Sequence, residues 1–270
     1  TTDIDKEIIF QLQRVNGDAS VAAAWYSASV GSNGSPFYEI GRSLYNEIDA
    51  LDPTKTNQQV DKSRNDVRYK VNVLYLNQDG AISDPEIPNY RGSYAVSNYA
   101  SLPQAEYVAE DRLFVGKYRG KRALSLPLQN NIPIMRTADI FLAMAEARAA
   151  LGDLNSTAAS LSGVYTDGQN GNSVEGILFY LKSNRSIDRS VLVRQAPLTN
   201  AQSAWKAILD ARRVEFAFEG HRYLDMKRLG VKAGSPGFQR YAKDCVVNNA
   251  CNLPVSDYRM TLPIPTSELN

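Results

Sequence analysis

The rhythm of apolar and polar positions changes several times along the chain. KEIIFQLQ at 6–13 is a short run of β-branched and aromatic residues and predicts a strand. From Asp66 the pattern alternates, with Val67, Tyr69, Val71, Val73 and Tyr75 on one side and Arg68, Lys70 and Asn72 on the other, which predicts a half-buried strand. After Pro133 the spacing turns helical. IMRTADIFLAMAEARAALG sets Ile134, Ala138, Phe141, Ala145 and Ala149 on one face and stops at Gly152, a residue suited to close a helix in the left-handed conformation. A second helix is predicted over 174–184 and a shorter one over Ala158–Leu161, with the turn-rich DGQNGNS between them. A third begins after Thr199 or Asn200, either of which can cap it, carries Trp205, Ile208, Leu209 and Phe216 as its apolar stripe, and ends at Gly220. A short helix over 222–229 closed by Gly230 follows, and the tail TLPIPTSELN is extended because Pro263 and Pro265 exclude the helical region for the residues before them.

Two stretches have no period. WYSASVGSNGSPFYEIGRSLY at 25–45 mixes turn residues with Trp25, Tyr26, Phe37, Tyr38 and Tyr45, and 79–111 is rich in Pro, Asn, Ser and Tyr and carries Tyr90, Tyr94, Tyr99 and Tyr107. Both predict long loops that bear rings, and long loops in compact domains are commonly functional. The pattern as a whole predicts a mainly α protein with a few short strands and long irregular loops.

Composition narrows the functions available. Lys+Arg number 30 against 29 Asp+Glu, a formal net charge of +1, so no global field steers nucleic acid or an anionic membrane toward the protein. No apolar run approaches the roughly 20 residues of a spanning helix, and Thr1 to Lys6 has neither a basic nor an apolar leader region, so a soluble chain is expected. Cys245 and Cys251 in CVVNNAC are spaced for a small-loop disulfide, with Asn248 and Asn249 between them to make the turn. The acidic residues Asp49, Asp52 and Asp61, and those from Asp167 to Glu175, do not fit an EF-hand spacing and read as solvated surface. No GxSxG elbow, Walker loop, HExxH or Cys/His zinc spacing occurs, so neither a metal nor a cofactor is expected.

The densest chemistry lies in RRVEFAFEGHRYLDMKRLG at 212–230, which holds the single histidine. On a continuous helix Arg212, Glu215 and Glu219 share a stripe with opposite charges adjacent, and they pair. A metal or general-base role for His221 needs second and third partners that the sequence does not supply, so His221 is expected to cap or hydrogen-bond a helix junction. Phe216, Phe218, Leu224 and Met226 place these charges against an apolar interface, where ions persist only when paired. Arg212, Glu215, Glu219 and Arg222 are therefore expected to form a structural network. A glycoside hydrolase using Glu215 and Glu219 would need two carboxylates flanking an open cleft about 5–10 Å apart, and adjacent turns of a charged helix favour pairing with arginine instead.

This segment resembles the signature of the SusD/RagB family, ERR-x-EL-x-FEG-x-R-x-x-DL-x-R-x-G. Three further segments follow the family's order: EIIFQLQ at 7–13, GKYRG with IPIMRTADIFLAMAEARAALGD at 116–153, and LPIPTSELN at the end. Ala211 stands where the family usually has the first Glu of its signature. The resemblance covers essentially all of 1–270 but corresponds to the C-terminal half of a typical member. The lipidated cysteine and the early tetratricopeptide-like helices of the family are thus expected outside this chain.

The resemblance implies a SusD-like α-helical scaffold with tetratricopeptide-like helix pairs, built on the residues Arg136, Glu146, Arg212, Glu215, Glu219, His221, Arg222 and Asp225. It implies an outer-membrane, surface-exposed lipoprotein of Bacteroidetes-type bacteria. Such a protein captures oligosaccharide, or peptide in RagB-like relatives, for a SusC-like TonB-dependent transporter and performs no covalent chemistry. A tetratricopeptide-type interaction scaffold without a small ligand is the reading from another class. The family signature does not name ligand residues, so those come from chemistry: sugars pack C–H faces on flat rings and present hydroxyls to planar polar groups. The candidates are Trp25, Tyr26, Asn33, Phe37, Tyr38 and Arg42, and a second group with Tyr90, Arg91, Tyr94, Asn98 and Tyr99, which suits a transporter-facing surface equally well. With half of a typical scaffold outside the chain, the helices at 134–151 and 201–219 are expected to expose apolar faces unless the missing N-terminal half or a second chain covers them.

Overall fold

The computed structural model describes residues 7–13, 40–41, 43–44, 47, 66–76, 82–83, 113–115, 117, 120–121, 126–127, 131–155, 173–186, 197–240 and 251–261. In chain order these form strand β1 (Ile8–Leu12), helix α1 (Val67–Asn72), strands β2 (Val73–Leu76), β3 (Ile82–Ser83), β4 (Leu113–Val115), β5 (Gly120–Lys121), β6 (Leu126–Pro127) and β7 (Ile132–Arg136), and helices α2 (Thr137–Leu151), α3 (Val174–Asn184), α4 (Ala201–Glu215) and α5 (Arg222–Leu229). Strands β8 (Phe238–Gln239) and β9 (Asn252–Leu253) and a 3₁₀ turn at Tyr258–Met260 follow. The fold is mainly helical, with small sheets at its margin: β1 with β7, β3-β2-β4, β5 with β6 and β8 with β9, all antiparallel.

The core lies where α2, α3, α4 and α5 meet. The small Ala138, Ala145 and Ala149 of α2 are buried, as the spacing predicts, and let α3 and α4 come close. Leu142, Ile177, Ile208, Leu209, Met226 and Leu229 are the largest side chains fully withdrawn from water, each worth about 2 kcal/mol of transfer free energy. Helix ends follow the sequence signals closely. Asn200 Oδ1 accepts the Ser203 N–H at 2.8 Å to cap α4, Ser173 Oγ accepts the Gly176 N–H at 3.1 Å to cap α3, and Gly152 closes α2 at φ 82.

Three expectations are corrected. The alternating run from Asp66 is a helix, α1, before it becomes a strand at Val73. Asp66 Oδ1 accepts the Arg68 N–H at 2.9 Å and starts a turn, while the Val67 N–H donates to Arg185 O at 2.8 Å, so local and tertiary hydrogen bonds override the alternation. Pro133 and Ile134 belong to a strand, not a helix. Ile132–Arg136 pairs with β1, and the helix starts only at Thr137, where Asp139 Oδ2 accepts the Arg136 N–H at 3.0 Å. The third helix stops at Glu215 rather than Gly220, because Phe218 at φ 63 and Gly220 at φ 84 lie in the left-handed region.

Of the two helical segments expected to expose apolar faces, 134–151 does so and 201–219 is largely covered, and Leu224 and Val231 are exposed as well. The stripe of α4 is covered, with Ala204, Ile208 and Leu209 buried. In contrast Phe10, Leu12, Ile134, Ile140, Met144 and Leu151 on β1, β7 and α2 are exposed.

Candidate functional site

Glu215 ends α4 and Glu219 follows in the turn, and four cations from four other places in the chain converge on them. Arg136, at the end of β7, places Nη1 2.7 Å from Glu215 Oε1 and Nη2 2.7 Å from the Glu215 carbonyl and 2.9 Å from Glu219 Oε1. Arg185, just after α3, donates to Glu215 Oε1 at 2.6 Å, and Arg68 of α1 donates to Glu215 Oε2 at 3.0 Å. Lys117 Nζ pairs with Glu219 and donates to the Ala217 carbonyl at 2.9 Å. Glu7, beside β1, accepts from Arg136 at 2.6 Å and pairs with Arg185, and Asp66 pairs with Arg68. The cations Arg68, Lys117, Arg136 and Arg185 thus balance the carboxylates Glu7, Asp66, Glu215 and Glu219.

This cluster is buried at Arg136 and Glu215 and half-buried around them, and its electrostatics follow. Burial alone raises the Glu215 carboxyl, but the hydrogen bond from Arg185 and the charges of Arg68, Arg185 and Arg136 outweigh it and hold the group at about 2. The guanidinium of Arg136 loses to desolvation and gains more from Glu215 and Glu219, so it sits above its ordinary value. Burial pulls the Lys117 ammonium down, against the charge of Glu219. A carboxyl held near 2 donates no proton at ordinary pH, and Glu215 is 4 % exposed, so it faces no substrate cleft. The pair is a structural clamp.

A second cluster lies across the Phe216 ring. Arg212 Nε donates to Asp225 Oδ1 at 2.7 Å and approaches Glu146 at 3.4 Å, and Arg228 bridges Glu146, at 2.9 Å, and Asp225, at 3.4 Å. The Arg136 and Arg212 guanidinium carbons lie 4.8 and 4.9 Å from the Phe216 ring centre, so one buried ring contacts a cation from each cluster. His221 precedes α5 with no side-chain capping hydrogen bond; its ring stacks on Phe216 at 4.5 Å instead. Arg222 donates to the Leu209 carbonyl at 3.2 Å. The expected Arg212–Glu215–Glu219–Arg222 network is therefore redrawn. Arg212 pairs with Asp225 and Glu146, and the two glutamates pair with cations that lie elsewhere in the sequence, because the chain turns after Glu215 and sends Glu219 off the helical stripe.

The chain's match to a known family covers these elements together. The sequence profile of the SusD family matches residues 6–270. The chain belongs to the SusD family. As a SusD-family protein it shares its fold with a SusD superfamily protein from Bacteroides fragilis NCTC 9343, at TM-score 0.51 and 14 % identity over 85 % of this chain and 42 % of that one. Further similar structures are a SusD superfamily protein from Bacteroides thetaiotaomicron VPI-5482, at TM-score 0.47 and 20 % identity over 97 % of this chain and 46 % of that one, and a laminarin-binding SusD-like protein, at TM-score 0.43 and 17 % identity over 99 % and 48 %. This chain spans less than half the length of each. No curated protein matches the sequence.

The ring-bearing candidates Trp25, Tyr26, Asn33, Phe37, Tyr38, Arg42, Tyr90, Arg91, Tyr94, Asn98 and Tyr99 lie outside the described residues, as do Asp49, Asp52, Asp61, Asp167 and Ala158–Leu161. Cys251 is disulfide-bonded; Cys245, the chain's other cysteine, lies outside the described residues. Among the described residues no group of His, Cys, Asp and Glu is placed to hold a metal, and no helix is long and apolar enough to cross a membrane. Sequence reasoning missed Asp66, Arg68, Lys117 and Arg185 as partners of the signature. Lys117 sits in the GKYRG segment, but single arginines such as Arg68 and Arg185 carry no local mark of a distant carboxylate.

Proposed function

We propose that this SusD-family chain works as the C-terminal part of a cell-surface protein that captures oligosaccharide for a SusC-like TonB-dependent outer-membrane transporter, without covalent chemistry. Family membership over residues 6–270 carries the reading. The signature carboxylates support it from the chemical side, because cations occupy both glutamates and leave neither free to act as an acid or nucleophile. Ligand contacts are assigned to the ring-and-amide segments, with Trp25, Tyr26, Phe37 and Tyr38 as stacking faces, Asn33 and Arg42 as hydroxyl partners, and Tyr90 and Tyr94 as the second group.

The test uses the chain's two tryptophans, Trp25 and Trp205. A bound glycan shifts the intrinsic fluorescence of the wild type and of Trp205→Phe, and the shift disappears in Trp25→Phe. A shift that survives in Trp25→Phe removes that ring from the ligand site, and a shift with peptide but with no glycan contradicts the proposed ligand class.

A further inference from the structure

Strands β2 and β4 are neighbours, with Val73 opposite Val115, Leu74 opposite Phe114 and Tyr75 opposite Leu113. The chain leaves this pair at residue 76 and re-enters it at 113, and β3 (Ile82–Ser83) pairs with β2 in between, so that residues 84–112, which include Tyr90, Tyr94, Tyr99 and Tyr107, connect two strands of one sheet, their root. That root is slight. Its strands β2, β4 and β3 have four, three and two residues, and a small sheet of this kind has little stability of its own.

Polar contacts join the root to the helical body at both ends. On the outgoing side Arg68 pairs with Glu215 at 3.0 Å, the Val67 N–H donates to the Arg185 carbonyl at 2.8 Å, and Asp66 forms a bridge with Ser186. On the returning side Lys117 pairs with Glu219 and donates to the Ala217 carbonyl at 2.9 Å. Val115 is buried as an apolar anchor, while Asn72 Oδ1 is buried without a protein hydrogen-bond partner, which weighs against the attached state. The two ends of the root are thus gripped by two carboxylates four residues apart in one turn, and those carboxylates are tied from the other side by Arg136, which reaches both, and by Arg185, which reaches Glu215.

We propose that the Glu215–Glu219 turn is a clasp that fixes the β3-β2-β4 sheet, from which residues 84–112 depart and to which they return, on the helical body, and that this sheet detaches from that body as a unit without unfolding it. Arg68 and Lys117 are the positioning residues of this clasp, one on each limb. This role for the family signature holds whichever ligand the protein takes.

Native-state hydrogen exchange on the intact chain tests it. In the wild type, the amides of Val73–Leu76 and Leu113–Val115 exchange at least about tenfold faster than those of Leu142, Ile208 and Leu209, with a weaker dependence on urea, as a sub-global opening requires. Lys117→Met speeds the root amides about tenfold more and leaves the helical amides within about twofold of wild type, and Lys117→Arg restores most of the protection. Equal rates and equal urea dependence for the two sets in the wild type overturn the proposal without recourse to a variant. It is equally overturned if Lys117→Met speeds both sets together, or neither.

Discussion

Glu215→Gln keeps the shape of the side chain and removes its charge from among Arg68, Arg136 and Arg185. In the folded protein the Glu215 carboxyl is drawn from an ordinary 4.5 to about 2. At about 1.4 kcal/mol for each tenfold in the proton equilibrium, the cluster favours the ionised group by about 3 kcal/mol. Removing one partner from a buried ion pair generally costs about 3–5 kcal/mol, which agrees in size, and the variant is expected to lose at least about 3 kcal/mol. Equilibrium unfolding in urea followed by circular dichroism measures this; a slope near 3 kcal/mol/M puts the midpoint about 1 M lower. The pH dependence has a fixed sign. A depressed carboxyl contributes stability that is fully present above its unfolded value and is lost as pH falls through its folded value, so the gap between wild type and variant closes from about pH 4.5 toward pH 2. The groups facing it, Glu7, Arg68, Arg136 and Arg185, with Glu219 and Lys117 alongside, are the same in both proteins and drop out of the difference to first order. A loss under about 1 kcal/mol at pH 7, or a gap as wide at pH 2.5 as at pH 7, would refute the electrostatic reasoning.

Other consequences are smaller and independent. Gly220→Ala places a side chain at φ 84 in open space, so only backbone strain acts, and thermal unfolding should register a loss of about 1 kcal/mol; an unchanged melting temperature contradicts the left-handed assignment. Leu142→Ala, at a position with no exposure in the heart of α2, should cost about 3 kcal/mol in the same denaturant assay, far more than Leu151→Ala on the exposed end of that helix. Replacing Phe10 and Ile134 with Ser should lower hydrophobic-dye binding and self-association of the chain while leaving its unfolding free energy within about 1 kcal/mol, since both side chains are exposed. Reduction of the disulfide at Cys251, if it closes on Cys245, should destabilise by about 2 kcal/mol, the value for so short a loop.

The helical half of the architecture was legible because its signals are local. The Ala138, Ala145 and Ala149 spacing, the Asn200 cap and Gly152 each encode a boundary or a face within a few residues, and the structure places helices there. Elements decided by distant partners were not legible. Val67–Asn72 alternates like a strand yet is helical because Asp66 and Arg185 take its first amides, and Pro133 looks like a helix start yet pairs with Gln11 across a sheet. The signature shows the same division. Its glutamates and arginines could be read as paired ions, but which ions pair depended on where the helix ended, and Phe218 and Gly220 ended it one turn early. A left-handed Phe218 has no sequence signal, since a bulky residue is rarely found there.

Calorimetric titration of this chain, alone and joined to a complementary SusD-family N-terminal half, against a panel of host and plant oligosaccharides and mixed peptides tests the central claim most directly. The account predicts saturable binding of one glycan class and no heat from peptides. Peptide binding with every glycan silent would contradict it, and silence toward both would leave a scaffold without a small ligand.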